Sequence, residues 1–308
     1  MSKTIHLLNF DDSVVSQQRL LSLYQPKIID FKDLARRARL WMNHRTKNEI
    51  EARLGSLDRN CINLLGSGDF HHISSVLLNQ FDEDFCVIVF DFHPDWDILP
   101  PRYGCGSWVT EALKNKRIQK CVLLGVSSND ISTWNIQTGN LSSLKNNRLE
   151  IYPYMHEPTT VFFRQVPENH SLTSKKGVMR TKILWQELRD KNIGEFILSI
   201  LNSLPTKKIY ISIDKDCLTQ EFALTNWEQG LFSLDKLLLI LRIINKNCEI
   251  IGVDITGEYS PAVVSGKLKA IISRLDHPKD VTAEDLSSLA VNDVNEETNL
   301  KILNSFIP

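Results

Sequence analysis

Cys86-Val87-Ile88-Val89-Phe90-Asp91-Phe92-His93-Pro94-Asp95-Trp96-Asp97 reads as a buried strand that stops abruptly in a cluster of carboxylates and an imidazole. The first five residues form a continuous apolar run, as expected of a parallel strand covered on both faces. Pro94 donates no N–H, so regular pairing stops there. Side chains two apart on an extended chain point the same way, which lets Asp91, His93 and Asp95 converge just past the sheet. Carboxylate and imidazole together suit divalent ions such as Mn²⁺, Fe²⁺ or Zn²⁺.

Working outward, the same alternation of short apolar runs and longer amphipathic segments recurs along most of the chain. Strands are expected at Thr4–Asn9, Ile62–Leu65, Cys86–Phe90, Cys121–Gly125, Leu149–Tyr152, Lys208–Ile213 and Glu249–Val253. Helices are expected at Phe31–Leu54, His72–Gln80, Ser107–Lys116, Lys182–Leu204, Ser233–Ile244 and Pro261–Arg274. Ser233 is placed to cap the helix it precedes, ahead of an apolar stripe at Leu234, Leu237, Leu238 and Leu241. Such alternation predicts an α/β fold with a mostly parallel sheet between helices. The stretch from Tyr154 to Thr181 is the least regular and reads as an inserted hairpin or a site loop. With no repeat and no low-complexity linker, residues 1–308 are expected to form a single domain.

Two further strand ends carry chemistry. Asp214-Lys215-Asp216 follows Lys208–Ile213, and Gly66-Ser67-Gly68-Asp69-Phe70-His71-His72 follows Ile62–Leu65 and leads into a helix. Ligands of open α/β sheets collect at the carboxyl ends of the strands. Two Asp pairs gathered there without a cation would repel and be partly protonated. Taken singly, each string also fits turn and capping chemistry. Three of them at strand ends, with this mix of groups, point to a metal centre.

The net charge of -1 over 308 residues gives no global attraction to nucleic acid or anionic lipid, and no apolar run is long enough to span a bilayer. Six cysteines lie scattered, without a C-x-x-C pair, as free thiols would in a reducing compartment. A cytoplasmic protein acting on a small molecule, without nucleic-acid or membrane partners, is the expectation. Gly104-Cys105-Gly106-Ser107 reads as a tight turn around a small apolar side chain rather than a nucleophile. Trp96, Trp108, Trp227 and Tyr103 lie near the motifs, and Asn226–Gly230 sits at a distance suited to a lid.

Asp91–Asp95 resembles the Asp-x-His-x-Asp motif of the ureohydrolases, the family of arginase, agmatinase and formiminoglutamase. Ser212–Asp216 resembles their Ser-x-Asp-x-Asp motif, Gly66–His72 their Gly-Gly-Asp-His segment, and Asp254–Glu258 a later stretch whose glutamate lies in the substrate pocket. The four come in the family's order. The resemblance implies a three-layer α/β/α fold around a parallel sheet of about eight strands, the arginase/deacetylase architecture. It also implies two divalent ions, Mn²⁺ foremost with Zn²⁺ or Fe²⁺ as alternatives, bridged by a hydroxide that attacks a guanidino, amidino or formimino carbon. Asp91, His93, Asp95, Asp214 and Asp216 would be ligands, with the sixth from the His71–His72 pair. An ungapped match favours His71 and leaves His72 as an acid–base candidate; Glu258 would bind the substrate's cationic group. Family members are often trimers or hexamers, which implies a homo-oligomer.

The chain departs from the family in three places. Pro100–Trp108 contains no histidine where the family has its proton-transfer His; Cys217-Leu218-Thr219-Gln220 replaces the usual Asp-Pro; and the Glu motif carries one extra residue. Two other readings follow. His71-His72 also resembles the histidine pair of single-zinc deacetylases on the same fold, in which Asp91, His93 and Asp214 would hold Zn²⁺. A metal-binding module without turnover is the other.

Overall fold

The computed structural model describes residues 3–55, 58–266, 269–271 and 288–307. In chain order the strands are β1 (Thr4–Asn9), β2 (Lys27–Asp30), β3 (Cys61–Ser67), β4 (Phe85–Phe90), β5 (Ile118–Leu124), β6 (Leu149–Tyr152), β7 (Thr159–Phe162), β8 (Leu172–Lys176), β9 (Arg180–Trp185), β10 (Lys208–Asp214) and β11 (Glu249–Glu258). Among the described residues, eight of these pair in the order β2-β1-β3-β11-β10-β4-β5-β6, and every pairing is parallel.

Alternation along the strands sets the layers. Within β4, Val87 and Val89 join one apolar core while Cys86, Ile88 and Phe90 join the other. The first core is completed by helices Lys32–Ala38, His44–Leu54, Ser74–Leu78 and Trp108–Ala112. The second is completed by Ile193–Ser203, Leu234–Asn247 and the C-terminal helix Ser288–Leu303. Burying one such Ile, Val or Phe side chain stabilises by about 1.5–3 kcal/mol, so a strand buried on both faces is strongly held. The result is the expected three-layer α/β/α arrangement.

All seven expected strands form. The eighth, β2, was not foreseen: Lys-Ile-Ile-Asp is short, polar at both ends and mostly exposed at the sheet edge. Lys182–Leu204 is not one helix. Its first residues lie in β9, which pairs with β7 and β8 in a three-stranded antiparallel sheet, and the helix begins only at Ile193. Long-range pairing there overrides a locally helical spacing. The irregular stretch after Tyr154 is accordingly this small sheet. Phe31–Leu54 is two helices rather than one, Lys32–Ala38 and His44–Leu54, the second capped by Asn43, which accepts from the Thr46 N–H. Ser233 caps its helix as expected, accepting from the Lys236 N–H at 3.3 Å. Of the expected helix Pro261–Arg274, residues 261–266 are not helical, 269–271 are, and the others lie outside the described residues. Among the described residues no helix is long and apolar enough to cross a membrane.

The sheet order brings the three ligand-bearing strand ends together. β3, β11, β10 and β4 are adjacent and central, so their carboxyl ends share one crevice.

Candidate metal centre

At the end of β4 the chain turns rather than running on extended. Asp91 Oδ1 accepts the His93 N–H at 2.7 Å, and Asp95 sits at φ +47°, a left-handed conformation that Asp tolerates better than most residues. Asp214 likewise accepts the Asp216 N–H at 3.0 Å, and Asp216 Oδ1 accepts the Phe92 N–H at 3.0 Å. Capping and site chemistry thus coexist. Asp91 and Asp214 each hold their own turn through Oδ1 while Oδ2 faces His71.

That centre has two lobes sharing Asp91. His71 Nδ1 lies 3.1 Å from Asp91 Oδ2, 3.3 Å from Asp95 Oδ2 and 3.4 Å from Asp214 Oδ2. His93 Nδ1 lies 2.9 Å from Asp216 Oδ2 and 3.7 Å from Asp91 Oδ1. One ligand atom from each of His71, Asp91 and Asp214 lies within 4.8 Å of the others, and so does one from each of Asp91, His93 and Asp216. All six expected ligands are therefore brought together.

The hydrogen bonding around His71 tests whether these groups fit a cation. Its Nε2 lies 2.9 Å from Ser212 Oγ, and Ser212 gives its own proton to Asp254 Oδ1 at 2.6 Å, so Nε2 carries the imidazole hydrogen. Nδ1 then presents a lone pair to three carboxylate oxygens. Among the described residues neither His71 Nδ1 nor Asp91 Oδ2 has a hydrogen-bond partner, although both are buried. Such orphaned acceptors facing one another are costly unless a cation lies among them. Two imidazoles and four carboxylates are an appropriate donor set for divalent ions.

The charges tell the same story. Burial, then Asp91, pushes Asp95 up to about 7 and Asp216 up to about 6. Burial and then Asp216 raise Asp214 well above the carboxylate range. Burial would raise Asp91 too, but the facing imidazoles of His71 and His93 hold it at about 2. On both histidines burial acts downward and is outweighed by the aspartates, which raise them well above ordinary imidazoles. Protons here stand where positive charge is wanted.

Two expected site residues, His72 and Glu258, belong to neither ligand group. His72 is fully buried near Ala38 and Lys269, and burial holds its pKa down at about 3. Glu258 is buried in an ion pair with Lys215, and it also accepts from Gln17 at 3.0 Å and Asn299 at 2.7 Å. The physical reason is the extra residue of its motif. Gly257, at φ +90°, is skipped in the pairing of β11 with β3, and a Cβ there would lie 2.5 Å from Asp214 Oδ1. This bulge turns Glu258 away.

The floor opens into a cavity of about 410 Å³, whose lining includes Asp91, His93, Asp95, Asp214, Asp216, Trp41, Trp96, Trp227, Cys105, Asp97, Asp130 and Glu228, with no Lys or Arg among the described residues. Trp108 lies beneath it, donating to Asp95 Oδ2 at 2.7 Å and packing on His71 at 4.7 Å between ring centroids. Glu228 was not foreseen. Its Oε2 lies 2.9 Å from His93 Nε2, and the only sequence signal was its place in the loop 226–230 after the second Asp motif.

No family model matches the chain. It is 26% identical over 265 residues to an uncharacterised protein of Thermotoga maritima, covering 83% of this chain and 80% of that protein. Among solved structures, the arginase of Entamoeba histolytica in complex with L-ornithine matches with a TM-score of 0.59 at 12% identity, covering 99% of this chain and 98% of its own. Proclavaminate amidino hydrolase from Streptomyces clavuligerus matches at 0.58 and 12%, with 99% and 92% covered. Formimidoylglutamase from Bacillus subtilis matches at 0.56 and 14%, with 99% and 87% covered. With the eight-stranded parallel sheet, these likenesses define the chain's architecture as the arginase-like ureohydrolase fold.

Proposed function

We propose that this chain is a hydrolase that uses two divalent ions, Mn²⁺ foremost, to cleave a C–N bond of a small cationic guanidino, amidino or formimino compound. The observation that carries this reading is Asp91, whose two oxygens face separate lobes, one with His71 and Asp214 and one with His93 and Asp216. His71, Asp91, Asp95 and Asp214 would hold one ion, and Asp91, His93, Asp214 and Asp216 the other. When bound, such a pair supplies an activated water and stabilises charge developing at the scissile carbon. The protein's own part is to fix the donors, to exclude bulk water with Trp41, Trp96 and Trp227, and to draw in a cation through a cavity lined by carboxylates.

The single-zinc deacetylase reading is less well supported. Asp95 and Asp216 would have no ligand role in it, yet both face the cluster, and its second histidine, His72, belongs to neither ligand group. The test is a panel of guanidino, formimino and acetylated-amine compounds offered to Mn²⁺-, Zn²⁺- and Fe²⁺-loaded protein. Release of urea or ammonia is expected. Acetate release would favour the deacetylase, and full metal loading without turnover a binding module. Asp95→Ala separates the first two further, because it should remove about one ion and most activity from a two-metal enzyme.

A further inference from the structure

We infer that Glu228 is the carboxylate that receives the cationic head of the substrate, the part that the sequence assigns to Glu258. The inference rests on the proposed function and names the residue through which that site selects charge.

Glu258 is unsuited to the part by position. It is buried, both of its oxygens are engaged, and it does not line the cavity. Four of the cavity's carboxylates, Asp91, Asp95, Asp214 and Asp216, face the metal centre. Of the rest, Asp97 accepts from Thr138 and Asp130 from Ser128, and neither is hydrogen-bonded to the centre among the described residues. Glu228 alone of these three is tied to it, through His93 Nε2 at 2.9 Å. Its side chain is 55% exposed, and its Oε1 has no partner among the described residues. A cation entering the cavity would meet that carboxylate on its wall.

The loop holding Glu228 is built to keep it there. The Gly230 N–H donates to the Asp216 carbonyl at 2.6 Å, and a Cβ on Gly230 would lie 2.1 Å from the Cys217 carbonyl oxygen, so only glycine allows this approach. Trp227 donates to Asp69 Oδ1 at 3.0 Å, and its ring lies 5.7 Å from that of His93. The indole and the carboxylate therefore flank the same imidazole and line the same cavity, an arrangement that favours a delocalised cation over a neutral molecule.

A purely orienting role, in which Glu228 only fixes the ring of His93, makes a different forecast. Glu228→Gln discriminates, because the amide oxygen still accepts from His93 Nε2 while the charge is gone. Binding of methylguanidinium and of its neutral analogue N-methylurea to Mn²⁺-loaded protein would be measured by calorimetric titration, with metal content measured in parallel. The inference expects the variant to keep its metal and its N-methylurea affinity and to bind methylguanidinium about tenfold or more weakly. Unchanged methylguanidinium affinity in the variant, or loss of a metal ion, overturns the assignment alone. A metal-loaded wild type that binds neither probe overturns the functional reading, and this assignment with it.

Discussion

The imidazole of His71 hangs from Ser212: Nε2 lies 2.9 Å from the hydroxyl oxygen, whose proton is given to Asp254 at 2.6 Å. Tyr210 donates to the other oxygen of Asp254 at 2.8 Å, which fixes the far end of the chain. This buried relay sets which ring nitrogen carries hydrogen and leaves Nδ1 free to ligate. Partners of this kind typically change metal affinity 10–100-fold.

Ser212→Ala should therefore lower Mn²⁺ affinity by about 10–100-fold while the protein stays folded. Titration of metal-free variant and wild type by calorimetry checks this. Equal affinities would show that the relay is only packing.

Lys215 and Glu258 form a buried ion pair directly behind the two aspartates of the second motif, with Asn299 of the C-terminal helix and Gln17 completing the carboxylate's partners. Removing one member of such a pair leaves an uncompensated charge, at a cost of about 3–5 kcal/mol. Lys215→Met should destabilise by that order in urea unfolding of metal-loaded protein, and adding Glu258→Gln should recover much of the loss. A cost below about 1 kcal/mol for the single variant would mean that the pair is solvated, contrary to its burial.

The site should also make the metal-free protein less stable as pH rises from about 5 to 7.5. Asp95 and Asp216, at about 7 and 6, and Asp214, raised well above the usual range, hold protons that the unfolded chain releases near pH 4. The folded state then binds more protons than the unfolded one, so the unfolding free energy falls with rising pH in that window. His71 and His93 act in the same sense: their stabilisation is complete below about 6.5 and is lost as pH climbs through their raised values. Asp91, at about 2, acts oppositely, losing its contribution only below about pH 4. His72, at about 3, also opposes, but it is one group against several. Mn²⁺ displaces these protons, so its affinity should strengthen over the same range. Scanning calorimetry with and without Mn²⁺ at each pH tests both statements, and a metal-free melting temperature that climbs with pH would refute the first.

Much of this was legible in the sequence because the information is local. Seven strands of the main sheet are short apolar runs, and the ligands sit in compact strings at the ends of three of them. What could not be read depends on distant partners. β2 is four residues at an exposed edge, and the Lys182–Leu204 segment has helical spacing but pairs as β9 with two strands upstream. The extra residue before Glu258 was visible, yet its effect appears only when Gly257 bulges against Asp214 and the turn at Lys215. Glu228 is a single carboxylate in a loop, and only the close packing of Gly230 on the Asp216–Cys217 turn carries it to His93.

Metal stoichiometry, by mass spectrometry of protein equilibrated with Mn²⁺ and then desalted, tests most directly whether Asp91 joins two cation sites. Two ions per wild-type chain are expected, about one in Asp216→Ala and close to none in Asp91→Ala. A wild type that never exceeds one ion, or an Asp91→Ala variant that keeps two, would contradict the account.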